Sequence, residues 1–222
     1  MLLALNLEAV SGSNCLISSL PPPPSPNGRK NIKKLRWVCD GFVFRIAGPS
    51  LLFREMASSS ATAELCDANP TLLSEGELRV LAPIFQTYGR CRAFSGPVVT
   101  LKVFEDNVLV REILENPGDG KVLVVDGGGS RRCALVGGNL ALLAQNMGWA
   151  GILVSGCIRD VDEISGLDIG VTALGSNPLK SNKKGLGEKH VPVDIGGTMI
   201  HEGEWLYADR DGILISKSEL SV

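Results

Sequence analysis

The stretch Gly151-Ile-Leu-Val-Ser-Gly-Cys-Ile-Arg-Asp160 decides the fold class and also carries the most informative polar residues. Its first half is apolar or small and uncharged, which is typical of a strand buried on both faces of a sheet. Lys121-Val-Leu-Val-Val-Asp126 has the same character and stops at the glycine triplet 127–129. Between these runs, Leu140–Met147 has the apolar spacing of a helix. Two buried strands joined by a helix predict a layered α/β fold.

The chain around this unit alternates between helices and strands in the same way. Helices are expected at Thr62–Asn69, closed by Pro70, and at Asn107–Glu115, with a helical turn at Val161–Ile164. Strands are expected at Val98–Phe104, Asp168–Ala173, Trp205–Ala208 and Ile213–Ser216, the last two separated by the turn 209–212. We therefore predict one α/β domain over residues 56–222.

Residues 1–55 differ in composition from this domain. They contain seven basic and three acidic residues and the proline tract Pro21–Pro24, which cannot join a helix or a central strand. Met56 is a second plausible start. Two interpretations stay open: a transit peptide that directs the protein to a chloroplast or mitochondrion, or an upstream segment that adds nothing to a cytoplasmic protein. In either case we expect a protein beginning at Met56 to fold and oligomerise like the full chain.

Composition also excludes several functional classes. Beyond residue 55 the chain has 15 basic and 21 acidic residues, so direct nucleic-acid binding is disfavoured apart from the local basic patch Lys180–Lys184. None of the six cysteines forms a Cys-x-x-Cys pair, which argues against a zinc site and for reduced core thiols. No apolar run approaches the ~20 residues of a membrane helix.

The catalytic motifs of common hydrolases and nucleotide-binding enzymes are missing as well. The chain has two histidines, His190 and His201, and neither a Gly-x-Ser-x-Gly elbow nor a Walker-type loop. Nucleophilic catalysis through histidine is therefore disfavoured. A metal ion with an arginine clamp needs no histidine.

Two predicted strand ends carry groups suited to a ligand. Gly137-Gly-Asn-Leu140 follows the glycine triplet at a helix start, where unpaired backbone N–H groups attract anions. Arg159 and Asp160 follow the second buried strand, at the edge where ligands gather in open α/β sheets. Arginine offers a planar fork for a carboxylate, and aspartate offers a hard oxygen donor for Mg²⁺ or Mn²⁺. We therefore expect a small acid and a divalent metal here.

Each of these features also has an interpretation without a ligand. The glycine triplet can be a tight turn, because Arg132 breaks the Gly-x-Gly-x-x-Gly pattern. Asp126 can cap that turn, and Arg159 and Asp160 can be a surface ion pair. Asp162 and Glu163 are expected to lie on a solvated helix face.

Taken together, six separated motifs give the chain a specific resemblance. They are Phe94-Ser-Gly-Pro-Val98, Val124-Val-Asp-Gly-Gly128, Ala134-Leu-Val-Gly-Gly-Asn-Leu140, Gly148-Trp-Ala-Gly151, Gly156-Cys-Ile-Arg-Asp-Val161 and Trp205-Leu-Tyr-Ala-Asp-Arg-Asp-Gly212. In this order they resemble the RraA-like family, which includes the regulator of ribonuclease activity A and the class II 4-hydroxy-4-methyl-2-oxoglutarate aldolases. The chain looks closest to the plant members. The resemblance covers residues 57–222 and none of 1–55.

The resemblance implies a β/α/β sandwich of swivelling-domain type, assembled as a ring-shaped homotrimer with active sites between subunits. It implies a divalent-metal lyase that cleaves 4-hydroxy-4-methyl-2-oxoglutarate to two pyruvates and decarboxylates oxaloacetate, both through a pyruvate enolate. Carried over by position, Arg159 is the catalytic residue that binds the substrate carboxylate, and Asp160 binds magnesium or manganese. Backbone amides then wrap the substrate, those of Gly137, Gly138, Asn139 and Leu140.

Gly138 departs from the established aldolases, which carry an Asp at that position to activate a metal-bound water. We therefore expect aldol cleavage to be weakened relative to decarboxylation, and Gly138→Asp to restore it if a positive φ at Gly138 does not prevent this. The ribonuclease-regulating bacterial members have a neutral residue in place of Asp160. Two classes of function stay open: a metal-dependent lyase, favoured by Arg159 and Asp160, and a regulator that binds a ribonuclease or another assembly, favoured by Gly138.

Overall fold

Five helices and twelve strands follow one another along residues 61–220, the part of the chain that the computed structural model describes. The helices are α1 (Thr62–Ala68), α2 (Pro70–Glu75), α3 (Val108–Leu114), α4 (Gly138–Asn146) and α5 (Val161–Ser165). The strands are β1 (Leu78–Val80), β2 (Gln86–Thr87), β3 (Phe94–Val103), β4 (Val122–Asp126), β5 (Ala134–Val136), β6 (Gly151–Ile158), β7 (Gly170–Ser176), β8 (Gly187–Lys189), β9 (Val193–Ile195), β10 (Thr198–Ile200), β11 (Trp205–Ala208) and β12 (Ile213–Ser216).

Strand β3 connects the two halves of the main sheet because its two ends pair with different partners. Phe94 to Pro97 pair antiparallel with β11, and Val98 to Lys102 pair parallel with β4. The strand order is β1-β12-β11-β3-β4-β6-β7-β2, with β5 added to β6 and β8 added to β3. In the parallel half, the carboxyl ends of β4 and β6 therefore meet at one edge, where ligands bind in α/β sheets.

Alternating side chains of the parallel strands build two separate cores. Leu123 and Val125 of β4 face α3, α4 and α5, in a cluster that includes Leu140 of α4. Val122 and Val124 point the other way and pack with Leu206, Ile215 and other residues of the antiparallel half. This period of two is the pattern of a strand buried on both faces, as the apolar run predicted.

Helices α1 and α2 cover the outer face of the antiparallel half. Leu65 of α1 packs there against Leu78, Tyr207 and Leu214. The layers are thus helices, antiparallel strands, parallel strands and helices. The predicted α/β class with a layered sandwich is confirmed, while the helices lie outside the two groups of strands and not between them as in the expected β/α/β order.

The strands that sequence patterns did not predict are two or three residues long, too short to show an alternation. These are β1, β2, β5, β8, β9 and β10. Strand β3 begins at Phe94, four residues before the expected start at Val98. The expected start was late because Gly96 and Pro97 usually interrupt a strand. A Cβ at Gly96 would lie 2.2 Å from the carbonyl oxygen of Gly120, so glycine serves a close backbone approach there. Pro70 does not simply close α1 but begins α2.

Two expectations concern the chain ends and membranes. The proposed extension, residues 1–55, lies outside the described residues, and so does its interpretation as a transit peptide. Within residues 61–220 no helix combines the length and apolar character needed to cross a membrane.

Asp209 ties the first helix to the last hairpin. Its carboxylate accepts hydrogen bonds from the backbone N–H and the hydroxyl of Thr62, each at 2.7 Å. The same carboxylate accepts the N–H groups of Asp211 and Gly212 in its own turn. Burial raises the pKa of Asp209, but these hydrogen bonds outweigh it and hold the pKa below its ordinary value.

Asp209→Ala should therefore destabilise the domain by about 1–3 kcal/mol, the usual cost of unpaired backbone donors at a helix start. Because the pKa is lowered on folding, the contribution of the carboxylate is complete above the ordinary Asp pKa of about 3.9 and is lost as the pH falls through the folded value. Urea unfolding of wild type and variant at pH 7 and pH 3 measures both effects. Equal stability at pH 7 would show that Asp209 does not anchor α1.

Candidate functional site

The two segments singled out in the sequence meet at one small cavity. Strand β6 ends at Ile158, and the N–H of Arg159 donates to the carbonyl of Val136, the last residue of β5. Gly137 and α4 follow β5, so the start of α4 lies beside Arg159 and Asp160. The resulting cavity has a volume of about 140 Å³. Its lining consists of Asn107, Arg111, Ala134, Gly137, Asn139, Leu140, Arg159, Asp160, Lys180, Ser181 and Lys183.

Asp160 has an unusual backbone conformation that turns it toward α4. Its φ of 59° and ψ of 45° lie in the left-handed region, which a non-glycine residue adopts at some cost and often at functional sites. Its Oδ2 accepts a hydrogen bond of 3.1 Å from the N–H of Gly138 and lies 3.5 Å from Nε of Arg159. The side chain is still 37% exposed, so the carboxylate keeps lone pairs available for a cation.

Gly137 matters at this junction because it has no side chain, and not because of its backbone conformation. Its φ of −132° and ψ of 179° are open to any residue. A Cβ there would lie 2.7 Å from Oδ2 of Asp160 and 3.2 Å from Nε of Arg159. A side chain at position 137 would therefore displace the Asp160 carboxylate and crowd the Arg159 side chain.

Gly138 does not have the positive φ that we considered. It is the first residue of α4 and is absent from the glycines with positive φ. A Cβ at Gly138 would instead lie 2.1 Å from Oε2 of Glu163. The carboxylate of Glu163 therefore occupies the space that a side chain at position 138 would need.

The expectation that Asp162 and Glu163 form a solvated helix face is confirmed, because both are exposed on α5. In addition, the Glu163 carboxylate lies against the start of α4 at Gly138, although neither residue lines the cavity. The sequence did carry a signal: Glu163 follows Asp160 by one helical turn, and such residues share a face. Without the fold, nothing connected position 163 with position 138.

The backbone amides of the 137–140 segment are only partly available to a ligand. The N–H of Gly138 is engaged by Asp160, and that of Leu140 donates to the carbonyl of Gly137 at 3.0 Å. Among residues 61–220, the N–H groups of Gly137 and Asn139 have no such partner, so these two donors are left for an anion at the helix start.

The cavity has a cationic lining that sequence analysis did not identify as a unit. Arg111 comes from α3, Lys180 and Lys183 come from the loop after β7, and Arg159 follows β6. Asp160 is the single acid of the lining. The patch Lys180–Lys184 was visible in the sequence, but only the fold brings part of it to Arg159.

Asp126 and the glycine triplet lie outside this cavity. Oδ1 of Asp126 accepts the N–H of Gly128 at 2.9 Å, and both Gly128 and Gly129 have positive φ. The interpretation as a capped tight turn is therefore confirmed. Asp126 instead borders a separate, mainly apolar cavity of about 360 Å³ beside Phe104 and Leu186.

Comparison with known proteins shows which relatives this chain has. The chain is 73% identical over 162 residues to "Putative 4-hydroxy-4-methyl-2-oxoglutarate aldolase 3" of Arabidopsis thaliana, covering 73% of this chain and 98% of the relative. A solved structure from Geobacillus kaustophilus described as S-adenosylmethionine:2-dimethylmenaquinone methyltransferase has a TM-score of 0.67 and 49% identity, covering 72% of this chain and 96% of the other.

A second solved structure, the RNA-processing inhibitor RraA from Thermus thermophilis, has a TM-score of 0.68 and 46% identity, covering 72% of this chain and 94% of the other. The names of these relatives describe three different functions, so family membership alone does not select one. The family described as RraA-like, Aldolase/RraA, matches residues 62–215. The chain therefore belongs to the RraA-like family.

Proposed function

We propose that the protein is a divalent-metal-dependent lyase that cleaves 4-hydroxy-4-methyl-2-oxoglutarate to two pyruvates and decarboxylates oxaloacetate as a side reaction. The observation that carries this proposal is the shared cavity of Arg159 and Asp160, with three further cations in its lining. Both substrates are small 2-oxo acids with two carboxylates. A cavity of about 140 Å³ suits such dianions better than a nucleoside cofactor, because sites for larger ligands measure roughly 300–1,000 Å³.

Magnesium or manganese fits the donors at this cavity. Asp160 would hold the ion, and residues 61–220 contain no cluster of three or more His, Cys, Asp or Glu side chains that could hold one more tightly. Mg²⁺ commonly binds through one or two carboxylates, substrate and water, so we expect weak binding without substrate. When bound, the ion supplies positive charge beside the 2-oxo group, where negative charge develops on the way to an enolate.

Arg159 would bind and orient the 2-oxo acid. Its side chain is 40% exposed and lines the cavity next to Asp160. The guanidinium can donate two parallel hydrogen bonds to a carboxylate, which fixes the orientation of the acid as well as its position. The N–H of Asn139, which also lines the cavity, is a further donor that we propose for this group.

Glu163 is our candidate for the base that aldol cleavage requires. A base must remove the proton of the 4-hydroxyl group; the C3–C4 bond then breaks, C4 becomes the carbonyl carbon of one pyruvate, and the electron pair stays on C3 as the enolate of the other. The carboxylate of Glu163 lies against Gly138 and has no ion pair or side-chain hydrogen bond with residues 61–220. We propose that this carboxylate takes the proton that Gly138, which has no side chain, cannot take.

A regulatory function is the second candidate, and the similarity to the RNA-processing inhibitor favours it. Such a protein would act through a surface, with no need for Asp160. We also propose a ring-shaped homotrimer with sites between subunits. Exposed apolar side chains such as Phe104 and Leu186, beside the larger cavity, support a protein contact of this kind.

Chelation should abolish oxaloacetate decarboxylation by the purified protein, and added Mg²⁺ should restore it. Asp160→Asn should abolish both lyase reactions while the circular dichroism spectrum and melting temperature stay within error. Asp162→Asn is the matched control, because it removes a neighbouring exposed carboxylate outside the cavity. Normal turnover by Asp160→Asn would falsify the metal-ligand assignment, and then the regulatory function would become the better proposal.

Arg159→Lys should lower kcat/KM for both 2-oxo acids by at least about tenfold, or ~1.4 kcal/mol, because lysine keeps the charge but not the paired donors. Steady-state kinetics with Arg131→Lys as the control would check this, since Arg131 does not line the cavity. Unchanged kinetics in Arg159→Lys would mean that Arg159 has a structural role.

Glu163→Gln should lower aldol cleavage by about 10²–10⁴-fold, the usual effect of losing a general base. Oxaloacetate decarboxylation should fall much less, because the leaving carboxylate carries no proton to be removed. In the Glu163→Ala background, which vacates this space, Gly138→Asp should recover part of the cleavage, since the new carboxylate then lies close to the position of the lost one. Equal losses in the two reactions, with no recovery in the double variant, would contradict the assignment of Glu163.

A further inference from the structure

Three residues of the cavity lining, Arg111, Ser181 and Lys183, form what we call the second wall. Ser181 is 5% exposed, and its Oγ has no hydrogen-bond partner among residues 61–220. A buried hydroxyl without a partner costs free energy, and a polar group bound beside it would offset that cost.

Two cations, Arg111 and Lys183, line the cavity together with Ser181 and come from different elements. Arg111 belongs to α3. Among the described residues it forms one ion pair, with Glu115, in which the two charged groups are 3.8 Å apart and both side chains are exposed to solvent. Lys183 lies two residues after Ser181 and forms no ion pair with any described residue. A weakly paired arginine and an unpaired lysine beside a neutral donor form a local environment that favours an anion.

Asp106 holds this wall in place. Its carboxylate is 1% exposed and accepts the N–H of Val108, at the start of α3, at 3.0 Å. It also accepts the N–H groups of Lys184 and of Gly185, the latter at 3.1 Å. The loop with Ser181 and Lys183 is thereby fixed to the helix that carries Arg111, so the anion would meet donors already in position.

We propose that Arg111, Ser181 and Lys183 form a subsite for the distal carboxylate of the substrate, the one that does not adjoin the 2-oxo group. The identity of that carboxylate rests on the proposed function, in which Arg159 and Asp160 take the 2-oxo acid end. The distal carboxylate of 4-hydroxy-4-methyl-2-oxoglutarate stays on the pyruvate that leaves first. The subsite therefore determines specificity for acids with a second carboxylate.

The same subsite should treat the two reactions differently. In aldol cleavage the distal carboxylate keeps its charge throughout, so the cations bind it equally in ground state and transition state and act mainly on KM. In oxaloacetate decarboxylation this carboxylate leaves as carbon dioxide, and its electron pair moves to the enolate. Cations that hold it stabilise the ground state, so removing them should not lower kcat for that reaction.

Calorimetric titration of the full-length protein with two unreactive ligands in the presence of Mg²⁺ tests the subsite directly. The ligands are 2-oxoglutarate and 2-oxopentanoate, which share the 2-oxo acid end and chain length and differ in the distal carboxylate. We expect wild type to bind 2-oxoglutarate at least tenfold more tightly. Arg111→Met and Lys183→Met should each reduce that ratio severalfold and together bring it close to one, and Ser181→Ala should reduce it less.

Lys184→Met is the matched control and should keep the wild-type ratio, because its side chain does not line the cavity. Arg111 and Lys183 are exposed, so melting temperatures should be unchanged. A wild-type ratio near one, or a ratio that survives the double substitution, overturns the subsite. A protein without lyase activity that selects 2-oxoglutarate through Arg111 and Lys183 would overturn the proposed function alone, and an active lyase without that selection would overturn the subsite alone.

Discussion

The close crossing of Asp160 over the backbone at Gly137 is the contact on which the rest of the site depends. It requires a glycine with no Cβ at position 137 and a left-handed conformation at residue 160. The hydrogen bond from the N–H of Gly138 to the Asp160 carboxylate joins the beginning of α4 to the beginning of α5. The carboxylate of Asp160 thus accepts a hydrogen bond from a backbone N–H at a helix start and is also the group that we propose as the ligand of a cation. One side chain therefore contributes both to the local structure and to the proposed chemistry.

The sheet makes this crossing possible by its register. Parallel pairing of β4 with β6, and of β5 with the end of β6, carries Val136 and Arg159 to the same edge, where the N–H of Arg159 donates to the carbonyl of Val136. The cores on the two faces of β4 keep this edge in place. The 180–185 loop, which is held by hydrogen bonds to the buried Asp106, supplies Lys180, Ser181 and Lys183 to the lining.

Much of this could be predicted from the sequence, because strong local patterns coincide with the parallel half. The apolar runs of β4 and β6 are long enough to identify buried strands, and the glycine-rich segment marks the start of α4. Arg159 and Asp160 come directly after the run of β6 in the sequence. The short strands β1, β2, β5, β8, β9 and β10 were missed because two or three residues show no pattern. Arg111, Ser181 and Lys183 could not be assigned to the site, since they join it through contacts between elements far apart in the chain. Glu163 is exposed as the sequence predicted, but its approach to Gly138 is visible only in three dimensions.

The shared space of residues 138 and 163 constrains how a protein of this architecture can change over evolutionary time. A Cβ at residue 138 would lie 2.1 Å from the present carboxylate oxygen of Glu163, which is the far end of an exposed side chain and can rotate away. A lineage that gains a side chain at the first residue of α4 therefore displaces the carboxylate supplied by the first turn of α5 from its present position. Substitutions at the two positions should therefore be correlated, and a chimera that joins α4 of one lineage to α5 of the other would combine side chains that have not adapted to each other.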